Sequence, residues 1–235
     1  MTSDNKTYQR FDYDEYARTR PTDDFWGQVK RTVNGVPVSD DQIKLIVDTI
    51  RSALDMQPDD TLLDLACGNG ALSRHLFDSC SEYFGVDLSE HLISVAKTNF
   101  EALPDYQFKQ QGAAEYVIAE TRPERFSKVL CYGSFAYFSA NDAAGVLRTL
   151  FNKFNHVEKV FIGNLPDKGR AIRFYKKQPN LEELADCHSP IGIWRTGDEF
   201  TQLATESGWQ VKLSSMPANF FNSYYRYDAL LTRYG

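Results

Sequence analysis

The 235-residue sequence contains no uninterrupted apolar stretch near the roughly 20 residues that cross a bilayer, so no membrane span is expected. Residues 1–21 are polar and mixed in charge, unlike a secretory signal. Cysteine is scarce: Cys67, Cys80, Cys131 and Cys187 stand far apart with no CxxC pair, and read as reduced thiols of a cytoplasmic protein. Histidine is scarcer in function than in number: the four histidines form no cluster with carboxylates at metal-ligand spacing, so no metal is expected. There is no excess of positive charge. Twenty-six basic against 32 acidic residues give −6, which disfavours binding to nucleic acid by bulk charge. No repeat, low-complexity tract or Gly/Ser linker divides the chain. What is abundant is ordinary globular material, 42% hydrophobic and 25% charged, with aromatics at 14% crowding the two ends.

That composition fits a single domain of 1–235 with four parts: an N-terminal lid segment (1–38), a ligand-binding core (39–164), a substrate-covering insert (165–195) and a closing helix with a hairpin (196–235). Ser39-Asp40-Asp41-Gln42 reads as a capping box, followed by Ile43, Ile46, Val47, Ile50 and Leu54 on one helical face. Short apolar runs then alternate with helical patterns. Strands are expected at 61–66, 82–86, 106–110, 128–132 and 157–163, with helices at 71–77, 90–100 and after Ala143. This alternation predicts βαβ crossovers and a mainly parallel sheet covered on both faces. A second capping box, Thr196 to Glu199, opens a last helix, and 209–214 with 224–232 read as a closing antiparallel pair. The expected fold is α/β: a Rossmann-like, doubly wound, seven-strand sheet, mostly parallel, with one antiparallel strand near an edge.

The sharpest segment runs from Leu62 to Leu72, where a strand ends in Asp64-Leu65-Ala66-Cys67-Gly68-Asn69-Gly70 and a helix begins at once. Small residues there let backbone approach a ligand, beside the carboxyl ends of the strands where open α/β sheets bind. Asp87 stands nineteen residues after Gly68 at the next strand end, placed to accept both hydroxyls of a ribose. These two features also fit a dinucleotide oxidoreductase. That reading is disfavoured because Ser73 stands where the third glycine is required. Asp64 would also face a pyrophosphate at a cost of about 1 kcal/mol even when solvated. Beside a sulfonium and an α-ammonium the same carboxylate is favourable.

Asp64 to Gly70, then Gly85-Val86-Asp87-Leu88-Ser89 with Leu92 and Ala96-Lys97, resembles the class I S-adenosylmethionine-dependent methyltransferases of small-molecule type. The order of elements over 43–235 resembles that family as well. The resemblance implies S-adenosylmethionine as cofactor. It implies Asp64 supporting the loop and the amino group, Ala66, Cys67, Gly68 and Gly70 along the methionine portion, and Asp87 with Leu88 at the ribose. Cys131 would lie under the ligand at the fourth strand end. The family often has an acid at the adenine where this chain has Ala113, in Gly112-Ala113-Ala114-Glu115, so Ala113, Ala114 and Glu115 are the adenine-side candidates.

Methyl transfer from sulfonium is a displacement that needs alignment and exclusion of water, and a base only for a hydroxyl or a protonated amine. The acceptor should lie beyond 131–137, where no Asn/Asp-Pro-Pro-aromatic motif stands. Three regions could close over it: Phe11 to Ala17 with Phe25-Trp26 and Arg31, the 165–195 insert, and the aromatic stretch 220–227. Candidate substrate contacts are Tyr13, Tyr16 and Trp26, with Arg170 and Arg173 for a phosphate or carboxylate if their segment is helical. His188 and Tyr137 are the candidate proton acceptors. The expectation is methylation of a small-molecule oxygen, a hydroxyl or an acid, on a sugar, nucleotide-sugar or other biosynthetic metabolite. The alternatives are an RNA or protein methyltransferase and a catalytically silent S-adenosylmethionine-binding protein.

Overall fold

In the computed structural model, residue 8 and residues 11–233 are described, so most of the first ten residues of the expected lid lie outside them. Seven strands form one sheet: β1 (Thr61–Leu65), β2 (Glu82–Asp87), β3 (Tyr106–Gln110), β4 (Lys128–Tyr132), β5 (Lys159–Pro166), β6 (Gln210–Ser214) and β7 (Arg226–Thr232). Their order across the sheet is β3-β2-β1-β4-β5-β7-β6. Only β7 runs against its neighbours, pairing antiparallel with both β5 and β6. The expected seven-strand sheet with one reversed strand is the one found.

The helices are α1 (Tyr13–Arg18), α2 (Phe25–Gln28), α3 (Asp40–Leu54), α4 (Glu90–Phe100), α5 (Ala113–Ala119), α6 (Ala140–Lys153), α7 (Ala171–Tyr175), α8 (Leu181–Leu184) and α9 (Gly197–Thr205). Alternation along the strands fills two cores, one on each face. Leu63, Leu65, Val129 and Cys131 pack with α5, α6 and α9 through Val117, Leu147, Leu150 and Phe200. Leu62, Leu130, Tyr132 and Phe161 face the other way, onto Ile46 and Ile50 of α3 and Ile93 and Ala96 of α4. All five periodic residues of α3 are buried, as the helical spacing requires. No helix among the described residues is long and apolar enough to cross a membrane.

Three local expectations are corrected. Ser39 precedes α3 without a side-chain cap. Gln42 turns away from it, donating to the Asn219 carbonyl (3.1 Å) and accepting from the Phe221 amide (2.9 Å), so it ties α3 to the segment before β7. The helix expected at 71–77 is a 3₁₀ helix over Ser73–Ser79. Its buried residues, Ser73 and Leu76, lie three apart, the spacing that a three-residue turn aligns. In the insert, α7 ends at Tyr175 with Lys176 in the left-handed region (φ 55°), so Arg170, Arg173 and Lys177 do not share a helical face. The Thr196–Glu199 capping box forms in full at the start of α9.

Candidate functional site

The carboxyl ends of β1, β2 and β4 open onto a cavity of 410 Å³. The loop after β1 turns sharply there: Ala66 (φ 60°), Gly68 (φ 61°) and Gly70 (φ 74°) all lie in the left-handed region. A methyl group on Gly68 would sit 3.1 Å from Val29 Cγ1, so glycine leaves the approach open. Asp87, at the end of β2, accepts the Gly68 amide on one oxygen (2.8 Å) and the Ser89 amide on the other (2.9 Å). One carboxylate therefore sets the loop after β1 and the start of α4 together, while its face lines the cavity. Burial pushes its pKa up, against the hydrogen bonds of those amides.

Asp64 is 4% exposed and also lines the cavity. It accepts from the Ser73 hydroxyl (2.6 Å) and the Tyr83 hydroxyl (3.0 Å). Burial still pushes its pKa up to about 7, because neither hydroxyl carries charge and Asp87 adds repulsion. Ser73, which stands where a dinucleotide loop has glycine, is thus the partner of Asp64. Two buried acids on one wall, opposed there among the described residues only by the Arg31 guanidinium, fit a guest bearing a sulfonium and an ammonium. In that fit Asp87 would hold the ribose hydroxyls and Asp64 would face the methionine amino group. Gly112, Ala113, Ala114 and Glu115, at the start of α5, also line the cavity, together with the exposed Leu88.

The N-terminal segment closes the cavity. Asn69 of the loop donates to the Phe25 carbonyl (2.8 Å) and to the Gln28 side chain (2.9 Å), pinning α2 onto the loop. Asp14 of α1 accepts from the Ser89 hydroxyl and the His91 amide, so α1 sits on the start of α4. Tyr13 and Trp26 then line the cavity as expected. The Tyr13 and Tyr137 hydroxyls lie 2.7 Å apart, and Tyr137 also donates to the Pro190 carbonyl (3.1 Å). Burial raises both phenol pKa values, so both rings keep their protons at neutral pH. They can position an acceptor but are poor bases. Ser134, at the end of β4, donates to the Ala66 carbonyl (3.3 Å) and completes the wall.

Six expected contacts fall elsewhere. Gly70 is outside the cavity wall: a methyl group there would come within 2.9 Å of the Phe108 ring, so packing is what requires the glycine. Cys131 is buried in the core on the other side of β4. Tyr16 packs on Phe11 and lies beneath the Lys30 ammonium. Arg170 is paired with Asp167 (3.0 Å), and Arg173 is exposed. His188 is exposed and outside the cavity, and it is the backbone carbonyl that it contributes, accepting the Phe11 amide (2.9 Å). Sequence reasoning missed Asn69 as the pin for α2 and Gly133 with Ser134 as wall. It left Arg31 as an extension of the lid, although Arg31 lines the cavity. A lone asparagine between two glycines carries no signal of its distant partner.

Comparison with known proteins agrees with this geometry. Residues 62–155 match the family model described as a methyltransferase domain. An uncharacterised methyltransferase of Schizosaccharomyces pombe is 27% identical over 137 residues, 54% of this chain and 46% of that protein. Cyclopropane mycolic acid synthase 2 of Mycobacterium tuberculosis is 28% identical over 151 residues, 60% of this chain and 46% of the relative. The chain thus spans about half the length of these curated relatives. The magnesium protoporphyrin IX methyltransferase of Synechocystis, solved with bound S-adenosylhomocysteine, shares the fold at a TM-score of 0.61 and 15% identity, covering 95% of this chain and 100% of that one. The acid-bearing glycine loop and the second acid at the end of β2 both lie inside the stretch, 62–155, that matches a methyltransferase domain.

Proposed function

We propose that this protein transfers a methyl group from S-adenosylmethionine to an oxygen, a hydroxyl or an acid, of a small molecule. The bound cofactor supplies an electrophilic methyl group. The observation that carries the reading is the pair of buried acids, Asp64 and Asp87, on the wall of a cavity roofed by α1 and α2.

The chain's own residues supply alignment and exclusion of water. Asp87 fixes the loop and would hold the ribose; Asp64, held by Ser73 and Tyr83, would orient the amino group. Asn69 keeps α2 down on the loop, and Trp26 and Tyr13 cover the reacting region. The Tyr13 hydroxyl donates to Tyr137 and the Tyr137 hydroxyl to the Pro190 carbonyl, and burial keeps both phenols protonated, so neither is a base, which favours an acceptor oxygen that is already anionic or readily becomes so. The roof of α1 and α2, pinned by Asn69 and Asp14, narrows access to the cavity, which suits a metabolite better than a polymer.

Calorimetry with S-adenosylhomocysteine and with NADH tests the cofactor: binding of the first and none of the second is expected. Turnover with methyl-labelled S-adenosylmethionine then tests the acceptor. Label in a small acid or sugar supports the reading; label only in RNA or protein overturns it. Binding without turnover across the panel makes the domain a silent receptor.

A further inference from the structure

Arg31 and Tyr132 line the cavity and Asn164, Arg226 and Asp228 stand behind them, and five buried atoms of these side chains have no hydrogen-bond partner among the described residues: Arg31 Nη1, Tyr132 Oη, Asn164 Oδ1, Arg226 Nε and Asp228 Oδ2. They belong to one contiguous cluster. A methyl group on Gly133 would lie 3.5 Å from Asn164 Nδ2 and 3.7 Å from Arg31 Nη2. Arg31 lies over the Tyr132 ring, 5.2 Å from its centre. Arg226 donates from Nη1 to the Asn164 carbonyl, and Asp228 Oδ1 accepts the Asn164 amide (2.7 Å). Asn164 itself sits in the left-handed region (φ 63°), where β5 shifts register against β7. Strained backbone and unsatisfied buried polar groups are uncommon separately, and here they coincide.

The loose ends have a definite chemistry. Arg31 and Arg226 offer N–H donors and form no ion pair among the described residues; Asn164 and Asp228 offer acceptors; Tyr132 can do either. Burial pushes the Asp228 pKa up to about 6, so at pH 7 it is mostly ionised and balances one of the two guanidiniums, while Asp64, raised to about 7, offsets the charge of Arg31 only in part. A carboxylate matches the positive charge that remains and accepts from both arginines, while a neighbouring hydroxyl can donate to Asn164 or Asp228.

We propose that this cluster receives the carboxylate of a hydroxylated acceptor molecule, a hydroxy acid or sugar acid. The inference rests on the methyltransferase reading and narrows its substrate class. It also moves the anion contact from Arg170 and Arg173 of the insert to Arg31 and Arg226, which come from the roof and from the reversed strand.

The test is saturation-transfer NMR on the full chain loaded with S-adenosylhomocysteine, titrated with glucuronate, glucose and glucose 6-phosphate. Glucuronate is expected to bind at least tenfold tighter than glucose. The Arg31 side chain makes no hydrogen bond to another described residue; Arg31→Gln should remove that margin, and Arg173→Gln should keep it. Arg226→Gln should act like Arg31→Gln provided its melting temperature is unchanged. Failure of S-adenosylhomocysteine to bind would sink the methyltransferase reading and this inference with it. If it binds but glucuronate and glucose bind alike, the cluster is filled by water and only this inference falls. Preference for glucose 6-phosphate would make the site one for phosphate and overturn the carboxylate. An Arg31→Gln variant that weakens S-adenosylhomocysteine yet keeps the glucuronate margin would assign Arg31 to the cofactor and overturn the pair.

Discussion

Asp64→Asn should stabilise the ligand-free protein and weaken its hold on the cofactor at the same time. The carboxyl is raised from 3.8 to about 7 by burial, so the folded state binds its proton more tightly than the unfolded chain does. The cost of ionising it is absent below pH 4, grows as pH rises toward 7, and is constant above. At about 1.4 kcal/mol per unit, the full cost is on the order of 4 kcal/mol at pH 8. Asparagine keeps an acceptor for Ser73 and Tyr83, which both donate to the same oxygen, and removes the charge. A gain of about 1–3 kcal/mol at pH 8, shrinking to nothing near pH 4, is expected by denaturant unfolding. The α-ammonium, which S-adenosylhomocysteine shares with S-adenosylmethionine, prefers the ionised acid. Wild-type affinity for S-adenosylhomocysteine should therefore fall about thirtyfold from pH 8 to pH 5.5, as the guest displaces a proton held with a pKa of about 7. In Asp64→Asn affinity at pH 8 should fall at least tenfold, and the contribution of Asp64 to the pH dependence should vanish. A variant that is less stable at pH 8, or that binds as tightly as wild type, would refute the electrostatic argument.

The remaining predictions separate ligand contact from support. Asp87→Ala should cut S-adenosylhomocysteine affinity at least tenfold by calorimetry, since it removes the ribose partner and frees the Gly68 and Ser89 amides. Asn69→Ala should cost about 2–4 kcal/mol in urea unfolding by releasing α2 from the loop, and hydrogen exchange should rise first at 25–28. Gly70→Ala should destabilise by about 2 kcal/mol or more through its φ of 74° and the Phe108 ring, although it touches no ligand. His188→Ala should leave kcat/KM within twofold of wild type, because the imidazole is exposed outside the cavity; a large loss of activity together with loss of the acidic limb of the pH profile would restore the histidine as the base.

The sheet was legible because each strand is a local statement. Leu62-Leu63-Asp64-Leu65 is apolar on both faces up to its last turn, and both faces are covered in the fold. The same holds for Lys128–Tyr132, where all five residues are buried. Where the sequence misled, one side chain had a better partner at long range. Gln42 fits a capping box by spacing, but the amide and carbonyl of the segment before β7 offered it two bonds. Arg170 and Arg173 looked like an anion face by spacing, but Asp167, three residues before Arg170, takes that guanidinium, and Arg173 is exposed away from the cavity.

The two halves of the site differ in the same way. The two acids of the cofactor half are written within 24 residues, from Asp64 to Asp87, because a strand, a tight loop and a second strand end must place them at fixed offsets. The acceptor half is assembled from Tyr13 and Arg31 near one terminus, Tyr132 and Asn164 at adjacent strand ends, and Arg226 near the other terminus. No spacing rule joins these positions; they meet because β7 is inserted antiparallel beside β5, which carries the beginning of β7 to the carboxyl ends of β4 and β5. The reversed strand thus does more than close the sheet: it delivers a guanidinium to the ligand end, where a parallel strand would have brought its last residue. Shifting the β5–β7 register, for instance by replacing the left-handed Asn164 with valine, should disturb Arg226 while leaving the Asp64–Asp87 half intact. Such a variant is expected to bind S-adenosylhomocysteine within threefold of wild type and to lose methyl transfer, and equal loss of both would show that the two halves are not separable.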